Sequence, residues 1–152
     1  MDNMFQKEEL ILSIQKFIDN NKDRGEMTAF YLFGSYANGM QTTLSDVDLA
    51  VLLDKAVGPE QYLTERLRLM GELSVILGTD KLELVILNDV PPNLAYRVIK
   101  YGELLYVRDE AASQLIDFKV RTMDRYFDYQ PVQRLFSEGL ARRTRDGVFG
   151  GR

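Results

Sequence analysis

Apolar residues recur along this chain in two rhythms, one helical and one extended. Leu10, Ile11, Ile14, Phe17 and Ile18 fall at three- and four-residue spacing, which predicts an amphipathic helix over the first two dozen residues, stopped by Gly25. TAFYLF at 28–33 is β-branched and aromatic and runs into Gly34, the pattern of a buried strand that ends in a tight turn. DVDLAVLL at 46–53 predicts a second strand, whose alternation sets Asp46, Asp48 and Ala50 on one face and Val47, Leu49 and Val51 on the other. Gly58-Pro59 opens a helix carrying Leu63, Leu67, Met70, Leu73 and Leu77 as far as Gly78. LELVIL at 82–87 is a third strand, interrupted by Glu83. Pro91-Pro92 precede a short helix through Tyr101 that Gly102 terminates, and residues 104–107 make a fourth strand at a sheet edge. A long helix begins near Glu110, with Leu115, Ile116, Met123, Tyr126 and Phe127 on one side and a break or kink at Pro131. The organisation expected is one domain over residues 1–130 and an extension over 131–152.

Composition narrows the chemistry. With 152 residues and 45% hydrophobic content the chain suits a single globular core. It contains neither Cys nor His, so thiolate nucleophiles, disulfides and imidazole bases are excluded, and acid–base or metal chemistry falls on Asp, Glu, Lys or Tyr. A net charge of −4 argues against a surface that grips extended nucleic acid. MDNMFQKEEL at the start carries acids and no long apolar run, no apolar stretch of about 18 residues occurs later, and a cytoplasmic, unanchored protein is the expectation.

The informative segment is FGSYANGMQTTLSDVDLAVL. Gly34 permits close backbone approach, and the N–H groups at the start of the following turn suit a phosphate, to which Ser35 adds a hydroxyl. Asp46 and Asp48, at i and i+2 of a strand, point the same way about 6–7 Å apart at the backbone, and can share hard cations spaced roughly 3.5–4 Å. Mg²⁺ is the natural occupant of an all-oxygen donor set. Glu83, the one acid inside an otherwise apolar strand, is the candidate third carboxylate, provided its strand lies beside that of Asp46 and Asp48.

Gly34-Ser35, ten residues, then Asp46-x-Asp48 resembles the signature of the nucleotidyltransferase superfamily related to DNA polymerase β, and the small size is similar to its minimal members, the MNT antitoxins of HEPN/MNT toxin–antitoxin pairs. LELV at 82–85 resembles the strand bearing the family's third acid, and RVIKYGELLY at 97–106 the helix-to-strand segment after it. The resemblance implies an α/β (α+β) fold, a mixed sheet of about four strands flanked by helices. It implies transfer of AMP from ATP, with two Mg²⁺ ions on Asp46, Asp48 and Glu83, and Gly34 and Ser35 on the terminal phosphates. Glu83 would serve as metal ligand or as the base for the acceptor's proton; the family commonly has Asp there. The acceptor implied is a tyrosine of a HEPN ribonuclease toxin, held in a hetero-oligomer. Two alternatives are a small-molecule nucleotidyltransferase of the aminoglycoside-modifying kind and a non-catalytic nucleotide-binding antitoxin.

Other residues have plainer readings. Arg97 and Lys100 complement a helix end, Tyr31, Tyr62 and Tyr96 pack, and Asp80 belongs to a Gly-Thr-Asp turn. Tyr36, just after the phosphate turn, is the first aromatic to consider for a contact with the nucleotide. The tail carries Arg142, Arg143, Arg145 and Arg152, and the first three make a solvated tail or a docking segment for a partner protein or RNA.

Overall fold

A strand buried along nearly its whole length needs cover on both faces, and this requirement organises the molecule. The computed structural model describes residues 6–42 and 44–145, with 129–145 by backbone alone. Strand β1 (Met27–Phe33) is buried from Met27 to Leu32. It pairs antiparallel with β2 (Val47–Leu53) on one side and with β4 (Glu103–Val107) on the other, while β3 (Leu82–Ile86) pairs parallel with β2. The mixed sheet has the order β3-β2-β1-β4, which makes β4 an edge as expected and β3 the other.

Each face of the sheet has its own core. On one, α1 (Lys7–Asn21) and α3 (Tyr62–Leu77) cover Phe30, Leu32, Val47, Leu49, Val51 and Leu84 with Leu10, Ile14, Phe17, Leu69 and Leu73. On the other, α4 (Pro92–Tyr101) and α5 (Ala112–Arg145) cover Tyr31, Ala50 and Leu52 with Ala95, Val98, Leu115 and Phe118. The alternation read along residues 46–53 is therefore the division between the two cores. Gly102 ends α4 where an added Cβ would stand 2.4 Å from the carbonyl oxygen of Val98, so the turn into β4 admits no side chain.

Four expectations are corrected. In α3 the buried stripe is Leu69, Leu73 and Leu77, whereas Leu63 and Leu67 are 65% and 58% exposed. The sheet presents a core rotated around the helix from the stripe its leucines suggest, and Tyr62, Met70 and Ile76 fill the remainder. In α5, Leu115 and Phe118 are buried, but Ile116 and Met123 face outward, because α4 and the sheet reach only one side of that helix, and Phe127 stays exposed with its ring in a T-shaped contact with Tyr96 of α4. Pro131 does not break the helix, which continues to Arg145. Its missing N–H forfeits one ladder bond, and long helical stretches on both sides carry the chain past it. The boundary expected between residues 130 and 131 thus falls inside α5. Arg142, Arg143 and Arg145 lie on that helix with side chains outside the described residues, as Arg152 is altogether. Fourth, Tyr36 is buried in the core under α1 rather than facing a ligand.

A charged knot ties α1, β1 and α3 together. The Arg68 guanidinium donates to Glu65 and Glu72, both at 2.8 Å, and to Glu26 and Asn21, both at 3.2 Å. Asn21 in turn donates to Glu72 at 2.8 Å and to the carbonyl of Phe17 at 2.9 Å.

Candidate active site

At the end of β1 the backbone turns through Gly34, with φ of 73°, into a four-residue helix, α2 (Ser35–Asn38). That dihedral is costly for a residue with a Cβ, but glycine has a second reason to be here. Phe33 pairs with Asp48 across the β1–β2 ladder, and a Cβ on Gly34 would lie 2.2 Å from Oδ2 of Asp48. The glycine leaves the room that the Asp48 carboxylate occupies. The first helical bond of α2 is donated by Asn38 to Gly34, at 3.2 Å, so the Ser35 amide precedes it and has no helical acceptor.

Asp46 is exposed just before β2, and Asp48 is half-buried as its second residue. The parallel register of β2 and β3 places Glu83 directly across from Asp48, about 4.8 Å away along the ladder. The strand adjacency that Glu83 required is present. Burial first, then the charges of Asp46 and Glu83, push the Asp48 carboxyl above its ordinary range. The negative charge of Asp46 and Asp48 at the end of the Gly34 turn is a load that a divalent ion would relieve.

Glu83 nevertheless does not turn toward the aspartates. Its carboxylate accepts from Arg66 of α3 at 2.5 Å, and Arg66 Nε donates to the Leu84 carbonyl at 2.8 Å. Arg66 thus reaches from the α3 face around the free edge of β3 to a carboxylate on the opposite face. Among the described residues, no three acidic side chains stand close enough to hold one ion together. Asp46 and Asp48 form the near pair, and Glu83 is drawn aside. Arg66 was missed in the sequence because nothing in a helix of mixed charge distinguishes an arginine that will meet a strand edge.

The domain family described as polymerase beta, nucleotidyltransferase matches residues 13–111, well over half of the chain. The protein belongs to the polymerase β nucleotidyltransferase family. The match spans both the Gly34 turn and the three acids. A toxin–antitoxin crystal structure with AMP-PNP is similar at 25% identity and a TM-score of 0.67, covering 86% of this chain and 98% of the other. The fold is also shared with an MntA–HepT toxin–antitoxin structure, at 22% identity and a TM-score of 0.62 over 88% of this chain and 98% of that one. A tri-AMPylated HEPN toxin from Shewanella oneidensis in complex with its MNT antitoxin gives 22% identity and a TM-score of 0.63, covering 90% and 99%. No match to this chain is found among curated protein sequences.

As a nucleotidyltransferase of this family, the chain has the donor chemistry that Mg²⁺ prefers: carboxylate oxygens, no nitrogen or sulfur, and the Gly34 cradle beside Asp48. The other residues singled out in the sequence lie elsewhere or pack. Arg97 is exposed on α4, Asp80 sits in the turn before β3, and Lys100 stands 5.5 Å from the ring of Tyr96. Tyr96 stacks on Tyr126 at 3.8 Å between centroids, joining α4 to α5. Tyr31 is buried in the sheet. Among the described residues no helix is long and apolar enough to cross a membrane.

Proposed function

We propose that the protein transfers AMP from Mg²⁺-bound ATP to a tyrosine hydroxyl of a HEPN-type toxin and acts as that toxin's antitoxin in a hetero-oligomer. The observation that carries the reading is the pair Asp46 and Asp48 beside the Gly34 turn, with Glu83 opposite Asp48 in the parallel register, in a family that transfers nucleotides. The toxin–antitoxin structure with an ATP analogue, similar over almost its whole length, supports the choice of nucleotide and partner. A cytoplasmic location accords with such a partner.

In this reading Gly34 and Ser35 hold the β- and γ-phosphates by backbone and hydroxyl donors. Asp46 and Asp48 hold two Mg²⁺ ions, with Glu83 as third ligand or as acceptor of the hydroxyl proton. Bound there, Mg²⁺ offsets phosphate charge and supports in-line displacement. The acceptor oxygen bonds to the α-phosphorus, the bond from that phosphorus to the bridging oxygen breaks, pyrophosphate leaves, and the hydroxyl proton passes to a carboxylate. The C-terminal part of α5, with the extension after it, is the segment assigned to docking the partner.

Incubation with labelled ATP and Mg²⁺, with and without the HEPN-type protein, tests this by intact mass. One added AMP on the partner is expected, and Asp46→Ala or Asp48→Ala should reduce it by at least about 10³-fold. Persistence of transfer in the double mutant sinks the site assignment. The pairing of Glu83 with Arg66 favours one second reading, a nucleotide-binding antitoxin that acts by contact. Mg²⁺-ATP binding with no mass gain on the partner is its signature.

A further inference from the structure

Arg66 has two jobs on the page. Its Nε caps the Leu84 carbonyl at the open edge of β3, and its terminal nitrogen pairs with Glu83 at 2.5 Å. The first job alone would leave Glu83 free to face Asp48, its direct partner across the parallel ladder. The second turns the Glu83 carboxylate toward Arg66 and away from Asp46 and Asp48. Both members are accessible, with side chains 33% and 48% exposed, so the pair can open without dismantling a core. Arg66 also lines a cleft of about 250 Å³ with Tyr62, Leu63, Val85, Ile86 and Asp89, so a guanidinium released from Glu83 has open space beside it.

We propose that Arg66 is a positioning residue, a resident counter-ion that parks Glu83 away from Asp46 and Asp48 until a divalent metal competes for it. The inference rests on the metal-site reading above and adds a regulation to it. The bond to Leu84 stays in place when Glu83 turns, so the guanidinium remains at the lip of the site. Metal binding is then an exchange of cations at Glu83, with Arg66 setting its threshold. An unpaired Glu83 would complete a three-carboxylate site in the resting protein, at the cost of unrelieved repulsion.

Mn²⁺ alone is the probe, titrated into the full chain while the EPR signal of the free ion is followed, with thermal melting measured in parallel. Arg66→Met should bind Mn²⁺ about three- to tenfold more tightly than the wild type, the range expected for losing one solvent-screened charge pair beside a divalent ion. Arg66→Lys keeps a cation near Glu83 but cannot hold both acceptors as the guanidinium fork does, so its affinity should stay near wild type even where its melting temperature falls. In Arg66→Met/Glu83→Gln the gain should vanish. An unchanged or weaker affinity in Arg66→Met, with Asp48→Asn still abolishing Mn²⁺ binding, overturns the proposal and leaves the site standing. Equal shifts in Arg66→Lys and Arg66→Met that follow their melting temperatures also overturn it, since an edge cap alone gives that result. Absence of any Asp48-dependent Mn²⁺ binding in both wild type and Arg66→Met removes the metal site, and the proposal with it.

Discussion

Gly34 shows how one residue serves backbone and site together. Its φ of 73° with ψ of −152° is a conformation essentially confined to glycine and costs an L side chain about 1–3 kcal/mol, and a Cβ would also meet the Asp48 carboxylate at 2.2 Å. Relief requires Asp48 to move, and Asp48 is the half-buried member of the aspartate pair. Gly34→Ala should therefore fold, melt a few degrees lower, and lose about a hundredfold in nucleotide transfer, as a misplacement near 1 Å produces. Steady-state rates and a thermal melt on the same preparation check this; a variant that transfers AMP normally would mean the turn tolerates a side chain. The sequence made this glycine conspicuous but could not say what it made room for, because the register of β1 against β2 decides that Asp48 is its neighbour.

Among the elements, α3 matters most, since it covers one face of the sheet and sends two arginines to different tasks. Arg66 goes to the strand edge, while Arg68 binds Glu26, Glu65 and Glu72 and so joins α3 to the start of β1. Removing Arg68 leaves three partly buried carboxylates facing one another. Arg68→Ala should cost about 2 kcal/mol, seen as a lower urea midpoint with an unchanged m-value. A loss under about 0.5 kcal/mol would place this cluster with ordinary surface pairs. The boundaries of α3 were legible from Gly58-Pro59 and Gly78. Its buried face was not, because Leu63, Leu67 and Val75 offer as much apolar surface as the Leu69, Leu73 and Leu77 that the sheet takes in.

Across the whole molecule, Asp54 at the end of β2 fastens the side of the sheet away from the acids. It accepts from Arg108 after β4, from Gln114 of α5 at 2.9 Å and from the Ala56 amide at 2.9 Å. Burial alone would raise its carboxyl; these donors outweigh that and hold it below the ordinary range. A depressed folded-state pKa means the stabilisation is complete above the unfolded value near pH 4 and is lost as pH falls through the folded value. Asp54→Asn should accordingly melt lower than wild type at neutral pH, with the gap closing below about pH 4; a gap independent of pH would assign the effect to packing. The sequence by itself determined the elements, the two-faced alternation of β2 and the spacing from Gly34 to Asp48, because each is set by residues close along the chain. It also named Glu83, since an acid within an apolar strand is legible without a fold. Only the tertiary structure decided that Glu83 lies opposite Asp48 on the ladder yet turns its carboxylate to Arg66, that Leu63 and Phe127 stay exposed, and that α5 runs through Pro131. Those outcomes depend on which strands become neighbours and how far each helix is covered, and contacts between residues distant in sequence leave no periodic trace in it.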